Sequence, residues 1–173
     1  MDQNDLAQDP NAVEVTSPET HFQVQCNEVR LVSSLIKPLE SVEAETERSR
    51  FIFKIDGRVE DNTAYSLLEV QVISVDDDTE AGIPAYELRF ILLGVFEAEE
   101  GIQPEALADF VRLYTLSILW PYAREYTSDQ LRRVGQAVSA LPIINPQVVT
   151  EKLIEGGLVK IEVTDKDSQE ENS

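Results

Sequence analysis

Four segments in the first half of the chain alternate apolar and polar residues, the pattern of β-strands with one buried face. We predict strands over residues 21–35, 50–59, 65–75 and 85–97. The second and third should pair as a hairpin, because Asp61 and Asn62 between them tolerate the left-handed backbone of a tight turn. The first segment changes parity at Asn27 and Glu28, where a β-bulge would absorb the shift.

The fourth strand-like segment is apolar on both faces in its second half. Ile91, Leu93 and Val95 lie opposite the face that carries Leu92 and Phe96. An antiparallel sheet with one solvated face does not need this pattern. We therefore expect something other than solvent to cover part of the outer face.

Helical periodicity dominates the second half of the chain. Apolar residues recur at three- and four-residue spacing from Leu107 to Ile118, after a proline suited to a first helical turn. A second stripe, which includes Leu113, makes this helix apolar nearly all round. We expect it to be buried on two sides, by the sheet and by another subunit. Pro121 is predicted to break the helical stretch at Trp120 and to start a second helix.

The end of the chain adds one short helix. Asn145 and Pro146 are suited to open it, and Gly156 and Gly157 to end it. Residues 158–163 fit either a strand or an extended tail. Strands followed by helices indicate an α+β fold, a four-stranded antiparallel sheet with two or three helices packed on one face. We expect a flexible acidic tail over 1–20, a folded domain over 21–156 and an acidic tail over 157–173.

Composition narrows the possible functions. The 173 residues include 33 acidic and 14 basic side chains, a net charge of −19, which opposes binding to nucleic acid or anionic membranes. One histidine, His21, and one cysteine, Cys26, cannot supply a typical zinc site, and no phosphate-binding or nucleophile motif occurs. We expect no enzyme activity, cofactor or metal, and Cys26 is predicted to be a small core residue on the inward face of its strand.

No part of the sequence is typical of membrane insertion. The N-terminus is acidic where a signal peptide is basic, and nowhere do 18 apolar residues run together. We expect a cytoplasmic protein.

Two groups of charged residues resemble ligand sites only superficially. Asp76, Asp78, Glu80 and Glu87 have the spacing of a calcium loop, but Ala81 replaces the glycine that the loop needs, which favours a plain acidic loop.

The second group, the basic residues of the helical stretch, could form a nucleic-acid face with neighbouring tyrosines. Arg124, Arg132 and Arg133 alternate with Glu125 and Asp129 at helical spacing. Such mixed charge favours salt bridges within the helix.

An aromatic cluster is the most informative group of side chains. It comprises Tyr114, Trp120, Tyr122 and Tyr126. Core packing would explain it, since large aromatics are mostly buried. An apolar binding surface would explain it equally well, because tyrosine and tryptophan offer a broad contact area with few rotatable bonds.

The residues around this cluster resemble the signature of the SecB family, the ATP-independent export chaperones. Residues 117–125 read SILWPYARE, with an apolar pair, an aromatic and the run Pro-Tyr-Ala-Arg-Glu that is similar to the family's motif. The segments HFQVQ at 21–25, GVF at 94–96 and LPIINP at 141–146 agree in order and spacing. The resemblance covers about residues 20–156.

The resemblance implies a homotetramer, assembled as a dimer of dimers with helices between sheets. Such chaperones hold unfolded client segments in apolar grooves between sheet and helices without nucleotide. The implied client-binding residues are Tyr122, Trp120, Tyr126, Leu153 and Ile154. The helix positions expected at the oligomer interface are Leu107, Phe110, Leu113, Tyr114 and Leu116.

Two features separate the chain from the export chaperones. Leu31, Leu35 and Arg89 stand where the family places acidic residues that receive the motor ATPase SecA, so the resemblance implies that SecA binding is doubtful. The run Arg124-Glu125-Tyr126 is similar to SecB-like chaperones associated with toxin–antitoxin systems. The leading hypothesis is a holdase that keeps unfolded client or preprotein segments soluble and competent for export or assembly. The alternative is a SecB-like module dedicated to one partner, such as an antitoxin.

Overall fold

The computed structural model describes residues 24–38, 47–76, 86–134 and 142–164. The elements, in chain order, are β1 (Val24–Pro38), β2 (Glu47–Glu60), β3 (Thr63–Asp76), β4 (Tyr86–Ala98), α1 (Pro104–Arg133), α2 (Pro146–Glu155) and β5 (Val159–Thr164). One sheet contains all five strands in the order β1-β4-β3-β2-β5. The first four strands pair with one another in antiparallel fashion, and β5 runs parallel to β2. The predicted α+β fold with a four-stranded antiparallel sheet is confirmed.

Local sequence signals explain the turns and irregularities of the sheet. The β2–β3 hairpin turns at Asp61, whose φ of 54° is the left-handed conformation expected there. The predicted bulge in β1 is present as a register shift between Cys26 and Glu28. A second shift lies between Leu31 and Ser33, which alternation alone did not reveal. Each shift moves the following side chains of β1 to the opposite face.

Helix α1 is continuous through Pro121, so the predicted break at Trp120 is wrong. A proline inside a helix costs about 3 kcal/mol, because it removes one backbone hydrogen bond and crowds the preceding turn. Leu119, Trp120 and Ala123 are all buried on either side of Pro121. Each large apolar side chain buried there contributes about 1.5–3 kcal/mol, which offsets the cost of the proline.

The last helix and strand follow one another directly. As predicted, α2 starts after Asn145, whose side chain accepts hydrogen bonds from the backbone N–H groups of residues 147 and 148, and ends at Gly156. Residues 159–164 then form β5, the strand rather than the extended tail of the two alternatives, so the sheet continues to Thr164, beyond the domain end expected at residue 156.

The absence of a side chain at Gly57 of β2 leaves room for β5. A Cβ added to Gly57 of β2 would lie 2.8 Å from the carbonyl oxygen of Tyr65 and 2.9 Å from Cδ1 of Ile161. Only glycine lets Ile161 lie this close to β2 without displacing a neighbour.

The core lies between the sheet and α1. Alternate residues of β3 and β4, such as Leu68, Val70 and Phe90, pack in one cluster with Leu119 and Trp120 of the helix. The hydroxyl groups of Ser66 and Thr115 are also buried. They are 2.9 Å apart and form a hydrogen bond with each other.

Cys26 is exposed, so the prediction that it is a core residue is wrong. Its register partner is Phe96, whose side chain is fully buried. Residues paired across antiparallel strands share a face, so Cys26 lies on the helix side of the sheet. It remains exposed because β1 is an edge strand that α1 covers only in part.

Candidate functional site: an apolar depression between the helix and the first strand

The second half of α1 presents one row of side chains to β1. Tyr122, Glu125, Tyr126 and Asp129 follow the i, i+3, i+4, i+7 spacing of a single helix face. Together with side chains of β1 and β4 they line a depression of about 290 Å³. The described residues that line it are Val29, Leu31, Leu92, Tyr122, Glu125, Tyr126 and Asp129. We call it the helix-side depression.

The floor and the rim of the helix-side depression differ in burial. Tyr126 is half-buried and packs on Phe90, with ring centroids 4.8 Å apart, and Leu92 is buried. Tyr122 and Leu31 are 49% and 42% exposed, so both offer apolar surface at the opening. A ligand that covered these two side chains would gain burial that the folded chain does not provide.

The polar side of the depression consists of two carboxylates of α1. Glu125 is exposed, and Asp129 accepts a hydrogen bond from Nε of Arg133 at 2.8 Å. This intrahelical ion pair is the arrangement that the mixed-charge pattern predicted.

Two of the candidate client-binding residues are core residues in this structure. Trp120 is 5% exposed and meets the rings of Phe51 and Phe53 edge-on, with a centroid distance of 5.3 Å to the second. Leu153 of α2 is 7% exposed in the same cluster, whereas its neighbour Ile154 is exposed. The aromatic cluster is therefore divided, with Trp120 in the core and the tyrosines at the surface.

The candidate interface residues of α1 are divided in the same way. Leu107 and Leu116 are fully buried within the chain. Leu113 and Tyr114 are exposed. The ring of Phe110 lies between those of Phe96, which it meets edge-on, and Tyr114, with centroid distances of 6.3 and 4.9 Å. A second apolar surface therefore lies on the first half of α1. We call Phe110, Leu113 and Tyr114 the helix patch.

The three positions mapped to SecA docking do not share a face of the sheet. Leu31 is paired with Leu92 and lines the helix-side depression. Leu35 is paired with Arg89 on the opposite face, where Arg89 forms an ion pair with Glu69. The second register shift in β1 separates Leu31 from Leu35. Sequence reasoning missed this shift, and strict alternation therefore kept Leu31 and Leu35 on one face.

Other chemistry-bearing groups are sparse in the described ranges. These ranges contain no cluster of three or more side chains able to hold a metal ion. Asp76 and Glu87 bracket the acidic loop, and residues 77–85 of that loop lie outside the described residues. Partial burial raises the pKa of the Cys26 thiol, although a hydrogen bond with the backbone of Glu28 acts in the opposite direction. None of the helices in the described part of the chain is long and apolar enough to cross a membrane.

The fold belongs to the class of SecB-like sheet-and-helix folds. It is similar to the Mycobacterium tuberculosis SecB-like chaperone Rv1957, solved in complex with a ChAD peptide from the HigA1 antitoxin Rv1956. The two share 17% sequence identity with a TM-score of 0.55, over 70% of this chain and 91% of that chain. At this identity the similarity concerns the fold alone. No family model and no curated protein matches the sequence.

Proposed function

We propose that this protein is an ATP-independent chaperone that holds unfolded client segments at the helix-side depression. The observation that carries the proposal is the exposure of Tyr122 and Leu31 at the opening of an apolar depression. Unfolded segments expose apolar side chains, and each side chain placed in the depression would remove apolar surface from water on both partners. Holding in this way requires neither nucleotide nor metal.

A single depression would bind a client weakly. Burying about 500 Å² of apolar surface contributes about 12 kcal/mol at 25 cal/mol per Å², while association and ordering of the segment cost about 4–15 kcal/mol. Several depressions on one oligomer raise the effective concentration of the next segment of the same client. Retention would therefore come from avidity.

We propose the homotetramer, a dimer of dimers, as the assembly that supplies this avidity. The helix patch is its candidate interface, because Leu113 and Tyr114 are exposed on a helix whose opposite side is already buried on the sheet. Leu107 and Leu116 would support that interface from within the core.

A second candidate function is dedicated service to one partner, such as an antitoxin. Its support is that the similar Rv1957 structure contains an antitoxin peptide. Client breadth separates the two functions, since a holdase suppresses aggregation of unrelated denatured proteins and a dedicated module does not.

We propose that SecA binds the outer face of the sheet only weakly. Only Leu35 and Arg89 of the three mapped positions lie together on the outer face, and Arg89 is already paired with Glu69. We expect weak binding to the basic tail of SecA, because no carboxylate stands at these two positions. Calorimetric titration of that tail into the wild type and into Leu35→Glu/Arg89→Glu tests this. Tight binding to the wild type would contradict the proposal.

The test of the holdase function is aggregation of a denatured protein, followed by light scattering without nucleotide. We expect suppression by the wild type and a several-fold loss in Tyr122→Ala, with an unchanged melting temperature because Tyr122 is half exposed. Ile52→Ala is the control, since Ile52 has similar exposure, 43%, on the opposite face of the sheet.

Two results would refute the proposal. One is suppression that is absent or that depends on nucleotide. The other is a Tyr122→Ala variant that holds clients normally but melts at a lower temperature, which would assign Tyr122 to packing. Light scattering behind a sizing column reports the assembly of each variant and separates loss of binding from loss of the oligomer.

A further inference from the structure

The face of the sheet opposite the helices contains a wide groove. Its floor is formed by β3 and β4, and charged side chains stand on both sides. The volume is about 730 Å³. The lining is Glu28, Arg30, Asp56, Gly57, Arg58, Tyr65, Leu67, Leu93, Val95, Lys160 and Glu162. We call it the outer groove.

The floor of the outer groove is apolar although no described element covers it. Leu67 and Leu93 are register partners, as are Tyr65 and Val95, so the four side chains form a compact square. All four are half-buried by their neighbours alone. These four side chains are therefore the part of the outer face that we expect something other than solvent to cover.

The backbone beneath the floor has no free hydrogen-bonding groups to offer. β3 is paired with β2 and β4, and β4 is paired with β3 and β1. An extended segment lying on the floor would lose water from its own N–H and C=O groups without gaining partners, at about 1–3 kcal/mol for each group left unsatisfied. A helix satisfies its backbone internally. The floor therefore favours a helical occupant.

The width of the outer groove matches one helix. The walls on β1 and β2 are three strand intervals apart, which is about 14 Å at about 4.8 Å per interval. A helix with its side chains is about 10–12 Å in diameter. One helix lying along the strands would fill the space between the walls with its apolar stripe on the floor.

The charges of the walls indicate what such a helix would carry on its flanks. Glu28 pairs with Arg30 at 3.4 Å, and Arg58 pairs with a glutamate at 3.1 Å while lying over the ring of Tyr65. Lys160 and Glu162 also line the groove, on β5 one strand interval of about 4.8 Å beyond the β2 wall, and neither has an ion pair with a described residue. Long side chains on the flank of a helix would reach them across β2.

These two charges match the repeat of a helix. Alternate residues of a strand are about 6.6 Å apart, close to the rise of about 6 Å between helix positions i and i+4. A helix with one acidic and one basic residue at this spacing on one flank would pair with both Lys160 and Glu162.

We propose that the outer groove binds an amphipathic helix of a partner protein, with an apolar stripe on Tyr65, Leu67, Leu93 and Val95 and a pair of opposite charges toward β5. This goes beyond holding unfolded clients, since it concerns the other face of the sheet and a structured ligand. A second copy of the chain that used the same groove is a poorer occupant, because two concave faces meet at their rims and leave both floors uncovered.

The test uses the full-length protein and fluorescently labelled designed peptides of about four helical turns. Two peptides share a Leu/Ile stripe and differ only in the order of one glutamate and one lysine, four residues apart on one flank. A third has the composition of the first with a central proline, which prevents a continuous helix. Fluorescence anisotropy measures binding of each peptide to the wild type and its variants.

The first expected result concerns helicity and charge order. We expect the wild type to bind one charge order several-fold more tightly than the other and the proline peptide at least tenfold more weakly. The double variant Lys160→Glu/Glu162→Lys should reverse the preference between the two helical peptides. Both positions are exposed, so this swap should leave the fold intact.

The second expected result concerns the floor. Leu93→Lys should weaken binding at least tenfold. The milder Leu67→Ala should weaken it several-fold, and it replaces Leu93→Lys in the test if that variant has a lowered melting temperature. Tyr122→Ala is the matched control for the opposite face and should bind the helical peptides like the wild type. This control also keeps the proposal separate from the holdase function, which Tyr122→Ala is expected to impair.

Three outcomes would overturn the proposal. Equal binding of the proline peptide would indicate an extended or nonspecific ligand. Binding unaffected by both the floor variant and the charge swap would place the peptide elsewhere. A change of oligomeric state in folded Leu93→Lys, measured by sedimentation, would show that a second copy covers the groove.

Discussion

The two faces of the sheet have the same alternation but different cover. On the helix side, Leu68 is completely buried beneath α1. Its neighbour in the chain, Leu67, points to the outer groove and is only half-buried. Two adjacent leucines of one strand thus have different roles, one in the core and one on an apolar surface with no described cover.

The polar residues of the two faces differ as well. The helix side uses hydroxyl groups that pair within the core, such as Ser66 with Thr115. The outer face uses ion pairs, with Lys54 and Asp56 2.5 Å apart and Arg89 paired with Glu69. Exposed pairs of this kind contribute about 0–1 kcal/mol each to stability. The ion pairs of the outer face therefore contribute little to stability, and no described element covers that face.

The largest expected difference between the two faces is in the stability lost when each of the two adjacent leucines is replaced by alanine. Leu68→Ala should lower the free energy of unfolding by about 2–5 kcal/mol, because it leaves a cavity in a packed core. Leu67→Ala should lower it by less than about 1 kcal/mol, since its site is open to solvent. Chemical denaturation of both variants measures the difference. Equal losses would contradict the assignment of the outer face as a free surface.

The attachment of β5 gives the second prediction. Gly57→Ala should destabilise the protein by about 1–3 kcal/mol, because the new methyl group overlaps the Tyr65 carbonyl and Ile161. Hydrogen exchange should show the loss concentrated in β5, because β2 is its only strand neighbour among the described residues. Gly101→Ala is the control. Its site is open, so any loss of stability there comes from backbone strain at its φ of 95° and should leave exchange in β5 unchanged. Unchanged exchange in β5 with Gly57→Ala would rule out this packing.

Replacing the proline inside α1 should have a smaller effect, and it should stabilise the protein. Pro121→Ala should raise the free energy of unfolding by about 1 kcal/mol, because the missing backbone hydrogen bond is restored while the unfolded chain gains some freedom. Pro121 is exposed, so no core contact is lost. Thermal unfolding measures the change. A lower melting temperature would mean that the proline stabilises the packing of α1.

The smallest effect concerns the uncovered edge of the helix side. Because partial burial raises the pKa of the Cys26 thiol, less thiolate is present at a given pH than in the unfolded chain. Alkylation of native protein between about pH 7 and 9 should be slower than in denaturant and should increase at a higher pH. Equal pH profiles in the two states would show that β1 leaves this thiol unperturbed.

Local patterns were sufficient to predict most of the elements. The alternation of residues 50–75, the turn at Asp61 and the cap at Asn145 all describe contacts within a few residues, so the hairpin and α2 were predicted correctly. Pro121 was misjudged because its local cost is outweighed by the burial of Leu119 and Trp120, which depends on the distant sheet.

The candidate site could be predicted only in part. Tyr122 and Tyr126 follow from helix periodicity, which places them on neighbouring turns. Leu31 could not be assigned to the same depression, because the pairing of β1 with β4 and the position of α1 beside them are contacts between segments far apart in the chain. The predicted shift near Asn27 leaves Leu31 on the helix side, whereas the unpredicted shift after Leu31 puts Leu35 on the other face.

The sequence by itself determined the α+β class, the faces of β2 and β3, and the apolar character of both faces of β4, because these depend on side-chain period. Tertiary structure alone decided that Trp120 is in the core while Tyr122 is at the surface, that β5 joins the sheet beside Gly57, and that the outer groove has an apolar floor between charged walls. Such features arise where strands distant in the chain become neighbours, and periodicity within one segment contains no information about which segment will lie beside it.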